Sequence, residues 1–253
     1  MTEPTRDDRT TFTRVTEGIY WFLVVDVLIV LASSPTIVVW LLLAREASNI
    51  PLYLASLLLA LPAISAALYA WRKRAEDPDP IPVRIFLRGY RQNALDSLKV
   101  GVPAALVLMV LSINIAYGDS AGTGALILAF AILAAIVVLI AARGLSIVST
   151  FRFRLVDALR LSVFTLLTMP LRTLSLISLG VLVAGISLFV GDYAFLFLAS
   201  LLTFAVWTSE KPVLARLRAE FVASESASTD GDSAADDDTA AGGDARQDGA
   251  PAG

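Results

Sequence analysis

The chain contains no cysteine and no histidine. The first absence excludes disulfides, thiol nucleophiles and thiolate metal sites. The second removes the other common zinc and haem ligand and the side chain most often used as a general acid or base. No Gly-rich dinucleotide fingerprint or phosphate-binding loop is present. No nucleophile–base pair, metal set or cofactor motif emerges, so no catalytic residue is expected and the chain reads as a non-enzyme. Lysine occurs only at 73, 99 and 211, against seventeen arginines. The basic residues alternate with apolar segments rather than forming one patch, which argues against nucleic acid as a partner.

Hydrophobic residues make up 57% of the chain and the mean hydropathy is +0.73. A water-soluble domain of 253 residues needs far more polar surface than that leaves. A spanning helix needs about 20 mainly apolar residues. Six stretches meet or approach this: Tyr20–Ala44, Pro51–Trp71, Val100–Tyr117, Gly124–Ala142, Thr173–Val190 and Tyr193–Trp207. The last two are short and separated only by Gly191 and Asp192, so they read as a tight hairpin. Residues 1–19 are polar, and the apolar run after them is too long for a signal-peptide core. It is expected to remain as an anchor.

Charge orients these segments. Nineteen of the twenty Lys and Arg residues fall in residues 1–19, in the 72–99 and 143–172 connections, and after Trp207. Only Arg45 falls on the other side. Basic residues accumulate in cytoplasmic loops. The expected fold is therefore an all-α protein of the cell membrane. It has six transmembrane helices in three hairpins joined by amphipathic cytoplasmic helices, with both termini cytoplasmic. Its parts are a polar N-terminus (1–19), a membrane domain (20–223) and a tail (224–253). The tail carries eight acidic residues and Arg246 alone as counter-charge, and its Ala/Ser/Gly/Asp composition predicts disorder. An Arg-heavy, Cys-free chain with an Asp-rich tail suits a halophile, or equally a GC-rich genome.

Both connections look amphipathic. Over 82–99, Val83, Phe86, Leu87, Tyr90, Ala94 and Leu98 form the predicted apolar stripe, with Arg84, Arg88, Arg91 and Gln92 away from it. The second connection pairs Arg154, Asp157 and Arg160 at three-residue spacing. Asn93-Ala94-Leu95 and Asp157-Ala158-Leu159 echo one another, as repeats in transporters do. Shared helical composition explains the echo equally well.

Four residues are candidate functional groups. Asp26 is the one ionisable side chain inside the first span. An intramembrane carboxylate is costly and is read first as a proton, cation or substrate site. Two turns from the interface it can instead pair with an arginine or reach water. Arg88, Arg91 and Asn93, with Gly89 and Tyr90, form the densest polar constellation. It suits a phosphorylated ligand, a lipid headgroup or a partner's acidic surface, or it is the solvated face of a helix lying on lipid. Pro35 predicts a mid-span kink, and Pro103 the start of a helix. Ala63 with Ala67, and Ala66 with Ala70, predict close helix packing. Asn114 predicts an interhelical hydrogen bond, and Trp21, Trp40, Trp71 and Trp207 near segment ends predict an interfacial belt.

Leu61-Pro62-Ala63-Ile64-Ser65-Ala66-Ala67-Leu68-Tyr69, followed by Phe86-x-Arg88-Gly89-Tyr90-x-x-Asn93 and Ser97-Leu98-Lys99, resembles the YesL-like family of small membrane proteins of uncharacterised function. The resemblance is most specific over 61–99 and extends through hydropathy to about 207. Leu61-Pro62 stands where the family often has Gly-Pro, and the acidic tail lies outside the resemblance. It implies an accessory or regulatory component of carbohydrate transport or utilisation, with a sugar-transporter complex as partner, and it carries over no catalytic residue. The alternative is a stand-alone small-solute transporter or channel built around Asp26, Pro35 and the possible repeat. Few polar residues line the remaining spans, which makes a hydrophilic path hard to build. A membrane-embedded enzyme acting on lipid is a third reading, weakened by the missing His and Cys.

Overall fold

A computed structural model describes residues 6–44, 46–77, 80–118, 122, 126–150, 155–189, 191 and 194–216. By internal contact the chain divides into residues 1–211 and 212–253. The first unit holds α1 (Arg6–Ala32), α2 (Ser34–Leu42), α3 (Ile50–Glu76), α4 (Pro82–Tyr117), α5 (Ile127–Val148), α6 (Leu155–Thr168), α7 (Pro170–Phe189) and α8 (195–211). A single 3-10 turn at Ala47–Asn49 leads into α3. The described part of the second unit, 212–216, is helical. The expectation of a disordered tail over 224–253 falls outside the described residues, as do Arg152, Arg154 and the side chain of Asp157.

No strand occurs among the described residues. Five helices there are long and apolar enough to cross a membrane: Val15–Ala32, Ala47–Glu76, Pro82–Tyr117, Ile127–Val148 and Pro170–Phe189. The sixth expected span falls on α8 and is not among the five. Its mainly apolar stretch, 194–207, covers only about 20 Å before Ser209, Glu210 and Lys211.

Three boundaries differ from the sequence expectation. The first span is broken: α1 ends at Ala32, Ser33 turns, and Pro35 occupies the first turn of α2. Proline has no N–H to donate, so a first helical turn, where that donor has no partner anyway, suits it. The 72–99 connection is not a separate element. α3 runs on to Glu76, and after a short link one 36-residue helix, α4, carries both the basic segment and the next span. Pro103 therefore lies inside a helix, as Pro62 does in α3. Each removes the donor to the carbonyl four residues earlier, which membrane helices tolerate when neighbouring groups re-satisfy it.

Helix α3 is the hub, packing against α1, α2 and most extensively α4, while α5 packs against α4 and α6. Its small residues explain this. Ala63, Ala66, Ala67 and Ala70 are all fully buried. They form the floor on which Trp21, Val25 and Ile29 of α1 sit, together with Phe86 of α4. On the other side Gly89 of α4 lies against the Tyr69 ring. A Cβ there would come within 2.8 Å of Tyr69 Cδ1, so α4 approaches this closely only because residue 89 is glycine. At the far end of the hub, Thr36 Oγ1 of α2 donates to the Ser56 carbonyl at 2.8 Å, and Trp40 Nε1 donates to Ser56 Oγ at 2.9 Å.

Asn114 donates to the Val110 carbonyl of its own helix at 2.8 Å rather than bridging helices. A turn of helix always offers a carbonyl at i−4, which competes with any partner on another helix.

Candidate functional site

Helix α8 presents one face to the rest of its unit. Ser200, Thr203, Phe204, Trp207 and Glu210 recur at three- and four-residue spacing and therefore share a side of the helix. Each makes an identifiable contact. The Ser200 amide donates to Asp26 Oδ1 of α1 at 2.8 Å. Thr203 Oγ1 accepts from Trp71 Nε1 of α3 at 3.2 Å. Glu210 Oε1 faces Arg143 Nη2 of α5 at 3.1 Å. Three helices are thus tied to α8 by three polar contacts.

Between those ties lies an aromatic cluster. Trp71, 1% exposed, stands 4.7 Å from the Phe22 ring, 5.0 Å from Phe204 and 6.0 Å from Trp21. Phe22 meets Phe204 edge-on at 5.1 Å, and Phe204 lies 5.7 Å from Trp207. These tilted and edge-to-face arrangements are the ones ring quadrupoles favour. The Arg74 guanidinium covers Trp21 at 5.2 Å and Trp71 at 5.7 Å, and Lys211 covers Trp207 at 5.4 Å. Trp21 and Trp71 are therefore core residues rather than members of a lipid-facing belt. Trp40 remains partly exposed. An indole near a span end suits the interface, but it suits a cation-capped internal cluster equally well.

Asp26 sits a turn along α1 from this cluster. Its observed partner is a backbone N–H of α8, not an arginine. The carboxylate here serves as a joint between helices. An asparagine retains a carbonyl oxygen for the same contact. Asp26→Asn is therefore expected to leave unfolding unchanged, whereas Asp26→Ala should cost about 1 kcal/mol. Detergent-titrated unfolding of both variants checks this, and equal losses would remove the acceptor role.

The Arg143–Glu210 pair was not singled out by sequence. In the sequence Arg143 reads only as the first basic residue of the 143–172 connection, and Glu210 carries no signal of its own. In the fold α5 continues to Val148, every residue from Arg143 to Val148 is buried, and both members of the pair are 0% exposed. Among the described residues Arg143 Nε and Nη1 and Glu210 Oε2 have no hydrogen-bond partner. The pair is held by a single contact. A sequence signal existed: Ser200, Thr203 and Glu210 mark one polar stripe on an otherwise apolar helix, and such a stripe faces protein rather than lipid.

The constellation at 88–93 divides between two sides of α4. Arg88 and Arg91 are exposed, as are Arg84, Val83, Leu87, Gln92 and Leu95. Asn93 is buried at 9% exposure, beside Gly89 and Ser97 on the inner face, and its amide nitrogen has no partner. The predicted apolar stripe is correspondingly rotated: Ile85 and Phe86 point inward, while Val83 and Leu87 stand between the arginines on the outer face. Among the described residues no group of three or more acidic side chains is placed to hold a metal ion.

No curated protein and no solved structure matches this chain. Over residues 18–115, from α1 to nearly the end of α4 and under half the sequence, the chain is similar to the family described as protein of unknown function, DUF624.

Proposed function

We propose that this is a non-enzymatic, six-span protein of the cell membrane with both termini cytoplasmic, acting as an accessory or regulatory component of a carbohydrate-uptake complex. The carbohydrate assignment and the YesL-like name rest on the residues at 61–99. The docking surface rests on one observation: Arg84, Arg88 and Arg91 stand exposed on the first turns of α4, interleaved with exposed Val83 and Leu87. At 36 residues α4 is about 54 Å long, against a hydrocarbon core of about 30 Å. Its basic turns can therefore project beyond the bilayer as a rigid extension of a span. Positive charge with apolar patches suits an acidic cytoplasmic surface of a partner subunit, for which it would supply both specificity and steering.

A stand-alone transporter fits this geometry less well. Asp26 is engaged with the α8 backbone, and the groove between α3, α4 and α5 has apolar walls.

The test is affinity purification from native membranes in a mild detergent. Wild-type protein is expected to recover transporter subunits. The Arg88→Glu/Arg91→Glu double variant, equally helical by circular dichroism, is expected to lose them. If the double variant still recovers them, the docking surface is wrong. If wild type recovers none, the accessory role falls.

A further inference from the structure

Helices α3, α4 and α5 enclose a half-open groove of about 240 Å³, independent of the docking face. It is lined by Leu58 and Leu61 of α3, Gly101 and Ala105 of α4, and Ala141 of α5. Ser97 is the sole polar lining residue, and its hydroxyl is already spent on the Ala94 carbonyl at 2.8 Å. We propose that this groove seats one acyl chain of a membrane phospholipid.

Four observations select that occupant. The groove is walled by three of the five helices that are long and apolar enough to cross a membrane, and in a bilayer hydrocarbon is its surrounding medium. Its walls offer no hydrogen bond or charge, and an apolar space of this kind stays dry. It follows α4 from Ser97 to Leu108, about 16 Å of helix, which matches the depth of one leaflet of a core about 30 Å thick. An α-helix with side chains is about 10–12 Å across, too wide for a slot of this volume, so a partner's helix or a second copy of this chain is a poorer fit than a single file of methylenes. The rim is continuous with the lipid-facing surface, since lining Val138 is itself half exposed. A lipid can therefore enter sideways.

The protein is reconstituted in vesicles of phosphatidylglycerol, extracted into maltoside and weighed intact by native mass spectrometry. Wild type is expected to retain a single phospholipid, and Ala105→Phe and Ala141→Phe, which fill the slot, are expected to lose it. Val107→Phe, on the exposed lipid face beside the groove, should retain it. Ala105→Leu provides a milder filling variant should the phenylalanine variants fold poorly by circular dichroism, and it too should lose the lipid. Wild type carrying no phospholipid, only detergent, or a polypeptide in its place overturns the proposal. Equal retention in correctly folded filled variants also overturns it.

Discussion

Replacing Glu210 with alanine is expected to destabilise the protein by about 3–5 kcal/mol, and Arg143→Ala by a similar amount, because each leaves a buried charge without its counter-ion. The pair lies at 0% exposure and is joined by one 3.1 Å contact. Removing one member strands the other in a medium that cannot solvate it. The pair itself contributes far less than this. Two charges have left water, and three of their polar atoms have no partner, so desolvation offsets much of the mutual attraction. The double variant Arg143→Met/Glu210→Leu is therefore expected to recover most of the loss. Denaturant-titrated unfolding, followed by tryptophan fluorescence, measures all three proteins. Single variants within about 1 kcal/mol of wild type would show that the site admits water. A double variant as unstable as the singles would show that the ion pair carries the stability itself.

Trp71→Ala is expected to cost about 3–5 kcal/mol, the range for deleting a large aromatic side chain from a core. The indole contacts rings from α1 and α8, is covered by Arg74, and donates to Thr203. Its loss opens a cavity where three helices meet, and those helices cannot collapse into it without breaking the ties on either side. Trp71→Phe keeps a ring but loses the donor and should cost about 1–2 kcal/mol. In the Thr203→Val background the Trp71→Phe cost should shrink, since the bond is already gone. The same unfolding assay over the four-protein cycle gives the coupling. A Trp71→Ala loss below about 1 kcal/mol would mean that α8 is not seated on this cluster.

Much of the scaffold was legible. Consecutive apolar residues identify the spanning helices, because insertion into hydrocarbon depends on composition and length and little on neighbours. The alanines at 63, 66, 67 and 70 announced the packing face of α3. Asp26 stands out in the sequence as a carboxylate within an apolar segment, but its partner does not follow from charge. A carboxylate pairs with any donor the fold brings near, and here that is an amide on a helix 174 positions away. The basic α4 turns face otherwise than the apolar periodicity of 82–99 implies, because close packing against the Tyr69 ring demands a residue without a side chain. Gly89 therefore faces in, with Asn93 and Ser97 on the same side, and Val83 and Leu87 are left outward between the arginines.

The sequence alone determined that the chain is helical, with several segments long and apolar enough to cross a membrane, and that cysteine and histidine chemistry is closed to it. Those properties are sums over residues or follow from residues near in the chain, and no distant contact alters them. Only the tertiary structure decided that Arg143 meets Glu210, that Trp71 is core rather than interface, that Asp26 holds α8, and that three spans leave a slot between them. Each of these depends on which faces of separate helices meet. Where lipid and protein interior are equally apolar, that choice is made by small residues, ring shapes and a few polar contacts between distant parts of the chain.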